Sequence, residues 1–284
     1  MRHRAAAFLC VLALAGTAVA APQDDSIAAA ANDLQVRVER DLAYGPHPRQ
    51  RLDVYLPGTA RGPILLMVHG GAWAFGDKRA AAMILPKVRH WTAQGFVVAS
   101  ANYRFIPDAS PAEQARDIAR ALALLQKEAP RWGADPARVV LMGHSAGAHL
   151  VALLTADPAR ARAEGALPWR GTVSLDSAAM DVPRLMEAPH ARLYDRAFGA
   201  DPQDWRFASP LHALTREGPP LLAICSTLRR DSCPQNEGLR AAAAKLGRDV
   251  RVQGVARTHM QINDDLGLPG PSTDSVDRWI RSIL

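Results

Sequence analysis

Val139-Val140-Leu141-Met142-Gly143-His144-Ser145-Ala146-Gly147-Ala148 is the stretch on which the reading of this chain turns. The apolar run 139–142 has the character of a strand covered on both faces, and the small residues after Ser145 open a helix. Between them stands Gly-x-Ser-x-Gly, so the serine falls in a sharp strand-to-helix turn. Such a turn brings neighbouring backbone close, which glycine at 143 and 147 permits and a larger side chain would obstruct. The hydroxyl is pushed into the open, and the following helix aims free N–H groups and a positive dipole end at the reacting centre. Ser145 is therefore the candidate nucleophile, and the N–H of Ala146 a candidate oxyanion donor.

Upstream, the continuously apolar residues 64–68 read as a second buried strand, followed directly by His69-Gly70-Gly71-Ala72-Trp73. Paired glycines let backbone N–H groups approach an oxyanion closely. An ordinary Gly-Gly turn is the plainer reading of either motif alone; the two together are far more specific.

Beyond these motifs, strand and helix alternate. Residues 34–40 and 51–55 read as an antiparallel pair around Gly45-Pro46-His47-Pro48, and 96–99, 171–175, 220–226 and 250–255 as further strands. Apolar residues recur at spacings of three and four over 80–94, which contains Pro86, and over 111–131, and 235–246 and 272–284 read as further helices. This order predicts an α/β fold, a mostly parallel sheet with helices on both faces, in one domain spanning 21–284. One stretch, 177–216, breaks the rhythm with prolines, aromatics and no strand of its own, as a lid-like insertion would.

Taken together, the two motifs resemble the α/β-hydrolase superfamily, in its esterase and lipase branch with an HGG-containing oxyanion loop. The HGGxW form is most similar to feruloyl-esterase-like and arylformamidase-like members. Where lipase-like members read HGGG, this chain has Ala72; the resemblance carries the oxyanion donors onto Gly71 and Ala72, and a backbone N–H still donates from alanine.

In this superfamily the chain order is nucleophile, acid, base. His259, after the last expected strand and in a loop before the last helix, takes the position that the resemblance assigns to the base. His190 and His212 lie in the insertion and suit packing or pocket lining, and His149 lies one helical turn beyond Ser145, where a structural role fits better. For the acid the resemblance points to Asp231, a short loop beyond 220–226; its rival is Asp176, at the end of the preceding strand.

Residues 1–20 run from Arg2 and Arg4 through an apolar stretch to Ala18-Val19-Ala20, the order of a signal peptide cut near Ala21. The stretch falls short of a spanning helix, so a secreted or periplasmic protein without stable membrane insertion is expected. In an oxidising compartment Cys225 and Cys233, eight positions apart, suggest a disulfide, with two free thiols as the alternative. Such a bridge would enclose Asp231. The formal charge of +6 is spread along the chain without clustered aromatics, which argues against nucleic acid.

The expected chemistry is acyl transfer from a small-molecule ester by a Ser145, His259, Asp231 triad. It needs no cofactor, and no sequence pattern for a metal is present. An amide or aryl formamide is the alternative bond, and an inactive hydrolase fold that only binds is the rival of another class. Oligomeric state is left open.

Overall fold

The computed structural model describes residues 22–58 and 62–284, so the leader expected at 1–20 lies outside the described residues. In chain order the elements are α1 (Pro22–Asp33), β1 (Arg37–Ala43), β2 (Arg51–Leu56), β3 (Ile64–Val68), α2 (Ala81–Thr92), β4 (Val97–Ala101), α3 (Pro111–Glu128), a 3-10 turn at Ala129–Trp132, β5 (Val139–His144) and α4 (Ala146–Ala156). They continue with α5 (Ala159–Arg162), β6 (Gly171–Leu175), α6 (Val182–Glu187), α7 (Arg192–Phe198), α8 (Pro202–Phe207), β7 (Leu221–Ser226), α9 (Ser232–Ala244), β8 (Val250–Val255), α10 (His259–Asp264) and α11 (Pro271–Ile283).

Eight strands form one sheet in the order β1-β2-β4-β3-β5-β6-β7-β8. The β1/β2 and β2/β4 pairs are antiparallel and the others parallel. At the centre of the sheet, β3 and residues 139–142 of β5 are apolar throughout because both faces are covered. Leu66, Val68 and Leu141 face one layer with Ile118 and Leu122 of α3 and Val151 and Leu154 of α4. Leu65, Met67 and Met142 face the other with Ile84 and Trp91 of α2 and Val276 and Ile280 of α11. Each such side chain contributes on the order of 2 kcal/mol of burial.

Two regions carry helices that the sequence analysis did not assign. The Ala-rich stretch ending near Asn32 forms α1, which buries Ile27, Ala30 and Ala31 at helical spacing. Alanine is the strongest helix former, and Ile27 packs into the core layer of α2. The insertion 177–216 has no strand, as expected, but carries three short helices; Asp181 and Asp201 cap two of them, each ahead of a proline.

Candidate active site

The parallel register sets the two sides of the site. His144 on β5 pairs with Leu175 on β6, so Ser145 and Asp176, each the next residue, leave neighbouring strand ends together. The N–H of Ser145 donates to the Leu175 carbonyl at 2.9 Å. Ser145 adopts φ 55°, ψ −115°, a conformation unfavourable for an L residue, and begins α4. The flanking glycines are sterically required: a Cβ on Gly143 would lie 2.4 Å from the Gly147 carbonyl oxygen, and one on Gly147 would lie 2.3 Å from that of Val68.

Opposite the serine stands the 69–73 loop. A Cβ on Gly70 would come within 3.0 Å of the Ser145 Cβ, which shows how closely the loop passes. Gly71, Ala72 and Trp73 all have positive φ, at 122°, 47° and 58°. A Cβ on Gly71 would meet the Phe75 carbonyl oxygen at 1.9 Å, so only glycine fits there. Among the described residues no protein acceptor takes the N–H of Gly71 or Ala72. Left-handed backbone at successive residues turns adjacent N–H groups inward, the form of an anion-binding nest. Trp73 anchors the loop: its carbonyl accepts from Gln114 Nε2 at 2.9 Å, and its indole packs on Phe198 and Tyr194 of α7.

His259 occupies the first turn of α10 rather than a loop. Thr258 and Gln261 form a capping box around it, a Thr-x-x-Gln signal that the sequence carries and that fixes where the imidazole starts. Its Nε2 lies 2.9 Å from Ser145 Oγ, and its Nδ1 lies 2.6 Å from Asp176 Oδ2. Nδ1 carries one hydrogen, donated to the carboxylate, which leaves Nε2 free to accept from the serine hydroxyl.

Asp176, not Asp231, is the carboxylate on His259. Asp231 stands at the N-cap position of α9 but makes no side-chain cap bond; its side chain is 46 % exposed, and its side-chain partner is Arg229 Nη2 at 3.2 Å. The loop after β7 supplies donors to the acid from β6 instead of an acid of its own. Asp176 Oδ1 accepts from the Ser226 N–H at 2.7 Å and the Ser232 hydroxyl at 2.5 Å. Oδ2 accepts from Arg229 Nη1 at 2.9 Å as well as from His259. Burial of Asp176 opposes ionisation, but the donors from His259, Ser232, Ser226 and Arg229 outweigh it and hold the carboxyl below its usual range.

Three other histidines frame the site in neutral form, each chiefly because burial disfavours its charge: His69 is lowered to about 4, His144 to about 3 and His149 to about 4. His69 stacks on Tyr103 and donates to the Gly70 carbonyl at 2.6 Å. His144 donates from Nε2 to the His259 carbonyl at 2.9 Å. His149 accepts the Trp73 indole N–H and donates to the Ala208 carbonyl, the structural role expected of it. His190 and His212 sit in the insertion, beside Asp195 and beside Ser209 and Asp181.

Cys225 and Cys233 are joined as a disulfide around the 226–232 loop. A cavity of about 750 Å³ lies between this loop and α6 and α7, lined among others by Leu185, His190, Tyr194, Arg229 and Arg230. Among the described residues no group of three or more His, Cys, Asp or Glu is placed to hold a metal, and no helix is long and apolar enough to cross a membrane.

With the serine turn, the glycine nest and the histidine at the start of α10 placed, the BD-FAE family model matches residues 52–228, more than half of the chain. The chain belongs to the BD-FAE family. The matched span takes in the nest, the elbow, Asp176 and the first half of the disulfide loop, whereas His259 lies beyond it. Among curated proteins it is similar to esterase LipC of Mycobacterium tuberculosis, 31% identical over 204 residues, 65% of this chain and 49% of that protein. It is also similar to the isoprenylcysteine alpha-carbonyl methylesterase ICME of Arabidopsis thaliana, 32% identical over 136 residues, 47% of this chain and 31% of that protein. The chain spans less than half the length of these curated relatives. Esterase B of Lactobacillus Rhamnosis has the same α/β-hydrolase fold, with a TM-score of 0.70 at 20% identity over 92% of this chain and 95% of that one.

Proposed function

We propose that this BD-FAE family member is an exported serine hydrolase that cleaves short-acyl or aryl carboxylic esters through an acyl-enzyme. The observation that carries the proposal is the unbroken run from Ser145 Oγ to His259 Nε2 and from His259 Nδ1 to Asp176. In this reading Ser145 attacks the ester carbonyl while His259 takes its proton, and Asp176 holds the imidazole in the required tautomer and offsets the imidazolium charge. The oxyanion rests on the N–H groups of Gly71, Ala72 and Ala146, and His259 returns the proton to the departing alcohol. Water, activated by the same histidine, then releases the acid.

Relatives named as esterases favour an ester over an amide. The aromatic side chains of Trp73, Tyr194 and Phe198 beside the nest favour a compact or aryl group over a long lipid chain. Export rests on the basic, apolar and small-residue order of residues 1–20.

Hydrolysis of p-nitrophenyl acetate by the wild type and by Ser145→Ala tests the reading. The variant is expected to lose at least about 10³-fold in kcat while keeping its thermal melt. Full activity in the variant would remove Ser145 from the mechanism. An inactive wild type that also fails to react with a fluorophosphonate would remove the hydrolase reading.

A further inference from the structure

Arg229 is not needed for the relay from serine to carboxylate, yet it is built into the same few ångströms. Its Nη1 donates to Asp176 Oδ2 at 2.9 Å and to the Asp176 carbonyl at 3.3 Å. The same Nη1 stands 3.0 Å from His259 Nδ1. Since Nδ1 already donates its one hydrogen to Asp176, this last approach joins two donors and is no hydrogen bond; both N–H groups converge on one carboxylate oxygen. Nη2 reaches Asp231 Oδ2 at 3.2 Å, and the Cys225–Cys233 bridge closes the loop that carries Arg229. The guanidinium is thus held from outside by Asp231 and from below by the disulfide loop.

We propose that Arg229 is a positioning residue that fixes the Asp176 carboxylate and widens toward acid the pH range in which His259 serves as base. This rests on the catalytic roles assigned above to Ser145, His259 and Asp176. A buried carboxylate beside an imidazole favours the imidazolium, and a histidine that is already protonated cannot take the serine proton. A fixed positive charge next to both groups counters that pull without displacing the carboxylate. Arg229 therefore supplies orientation to the acid and electrostatic restraint to the base.

The other charged and titratable groups around His259 leave this role to Arg229. His144, whose ring centroid is 4.5 Å from that of His259, stays neutral through burial first and His259 second. Lys87 of α2 donates to the Asn263 carbonyl at the far end of α10. Asp231 faces Arg229 from the exposed side, Tyr194 beside it is held neutral chiefly by burial, and Arg257, on the approach to α10, lies 3.6 Å from Asp265.

The test follows the protonation of His259 by NMR in the full protein with isotope-labelled histidine, a readout that needs no turnover, alongside the acid limb of kcat/KM on p-nitrophenyl acetate. In Arg229→Met the His259 midpoint and the acid limb are expected to move to higher pH by at least about half a unit. Arg229→Lys, which keeps the charge, is expected to return both most of the way to wild type. Arg229→Gln replaces the methionine variant if the latter does not fold. A neutral variant that folds and titrates as wild type overturns the proposal, as does a lysine variant that shifts as far as the neutral one. An inactive wild type whose His259 midpoint still moves in the neutral variant would overturn the esterase reading while leaving the electrostatic coupling in place.

Discussion

The Trp73 indole N–H donates to His149 Nδ1 at 3.2 Å, tying the glycine nest to the helix that begins behind Ser145. His149 completes the link by donating from Nε2 to the Ala208 carbonyl at 2.7 Å, so one neutral imidazole joins the nest, α4 and the insertion. The tautomer follows from the partners: Nε2 faces a carbonyl and must donate, which leaves Nδ1 to accept.

Removing the donor while keeping an aromatic ring isolates this link. Trp73→Phe is expected to cost about 1–3 kcal/mol of stability, because it leaves the buried Nδ1 without a partner. Loosening the nest should also lower kcat by about tenfold or more, since small displacements near the reacting atoms are costly. Thermal melts and steady-state kinetics measure both, and a variant matching wild type in each would show that the nest does not depend on His149.

The two aspartates considered for the acid separate cleanly by mutation. Asp176→Asn retains the shape of the side chain but lets His259 take the wrong tautomer, and should lower kcat by roughly 10³- to 10⁴-fold. Asp231→Asn touches only an exposed helix start and the outer side of Arg229, and should leave kcat within about threefold of wild type. The reverse ranking would return the acid to the loop after β7.

Lys87 gives a prediction about stability rather than rate. Its ammonium is fully buried and donates to the Asn263 carbonyl, and burial lowers its pKa to about 7, with Asp264 and Asp265 opposing. An unfolded lysine still binds its proton up to about pH 10. Between about pH 7 and 10 the unfolded chain therefore binds more protons than the folded one, and stability from this site rises with pH. Melting temperatures of wild type and Lys87→Met across that range should diverge, the wild type gaining relative to the variant as pH increases. Parallel curves would mean that Lys87 does not change charge there.

Much of the site was legible because its chemistry constrains local sequence. The elbow needs glycine at 143 and 147, and the nest needs it at 71, where in each case a Cβ would collide with backbone. The sequence also carried the Thr258 to Gln261 box that starts α10 at His259, although the histidine was expected in a loop. Arg229 had no such signal. An arginine two residues before an exposed aspartate is ordinary in a sequence, and its meaning comes entirely from the strand end that it meets.

The sequence by itself determined the alternation of strands and helices, the serine turn, the glycine nest and the histidine after the last strand, because each depends on hydrophobic period or on backbone sterics within a few residues. Only the tertiary structure decided which carboxylate meets that histidine. Asp176 and Asp231 both follow apolar strands, but the β5/β6 register sets Asp176 beside Ser145 and buries it among four donors, while the 226–232 loop turns Asp231 toward solvent. Strand neighbours and their register are fixed by packing across the whole sheet, which no local stretch of sequence contains.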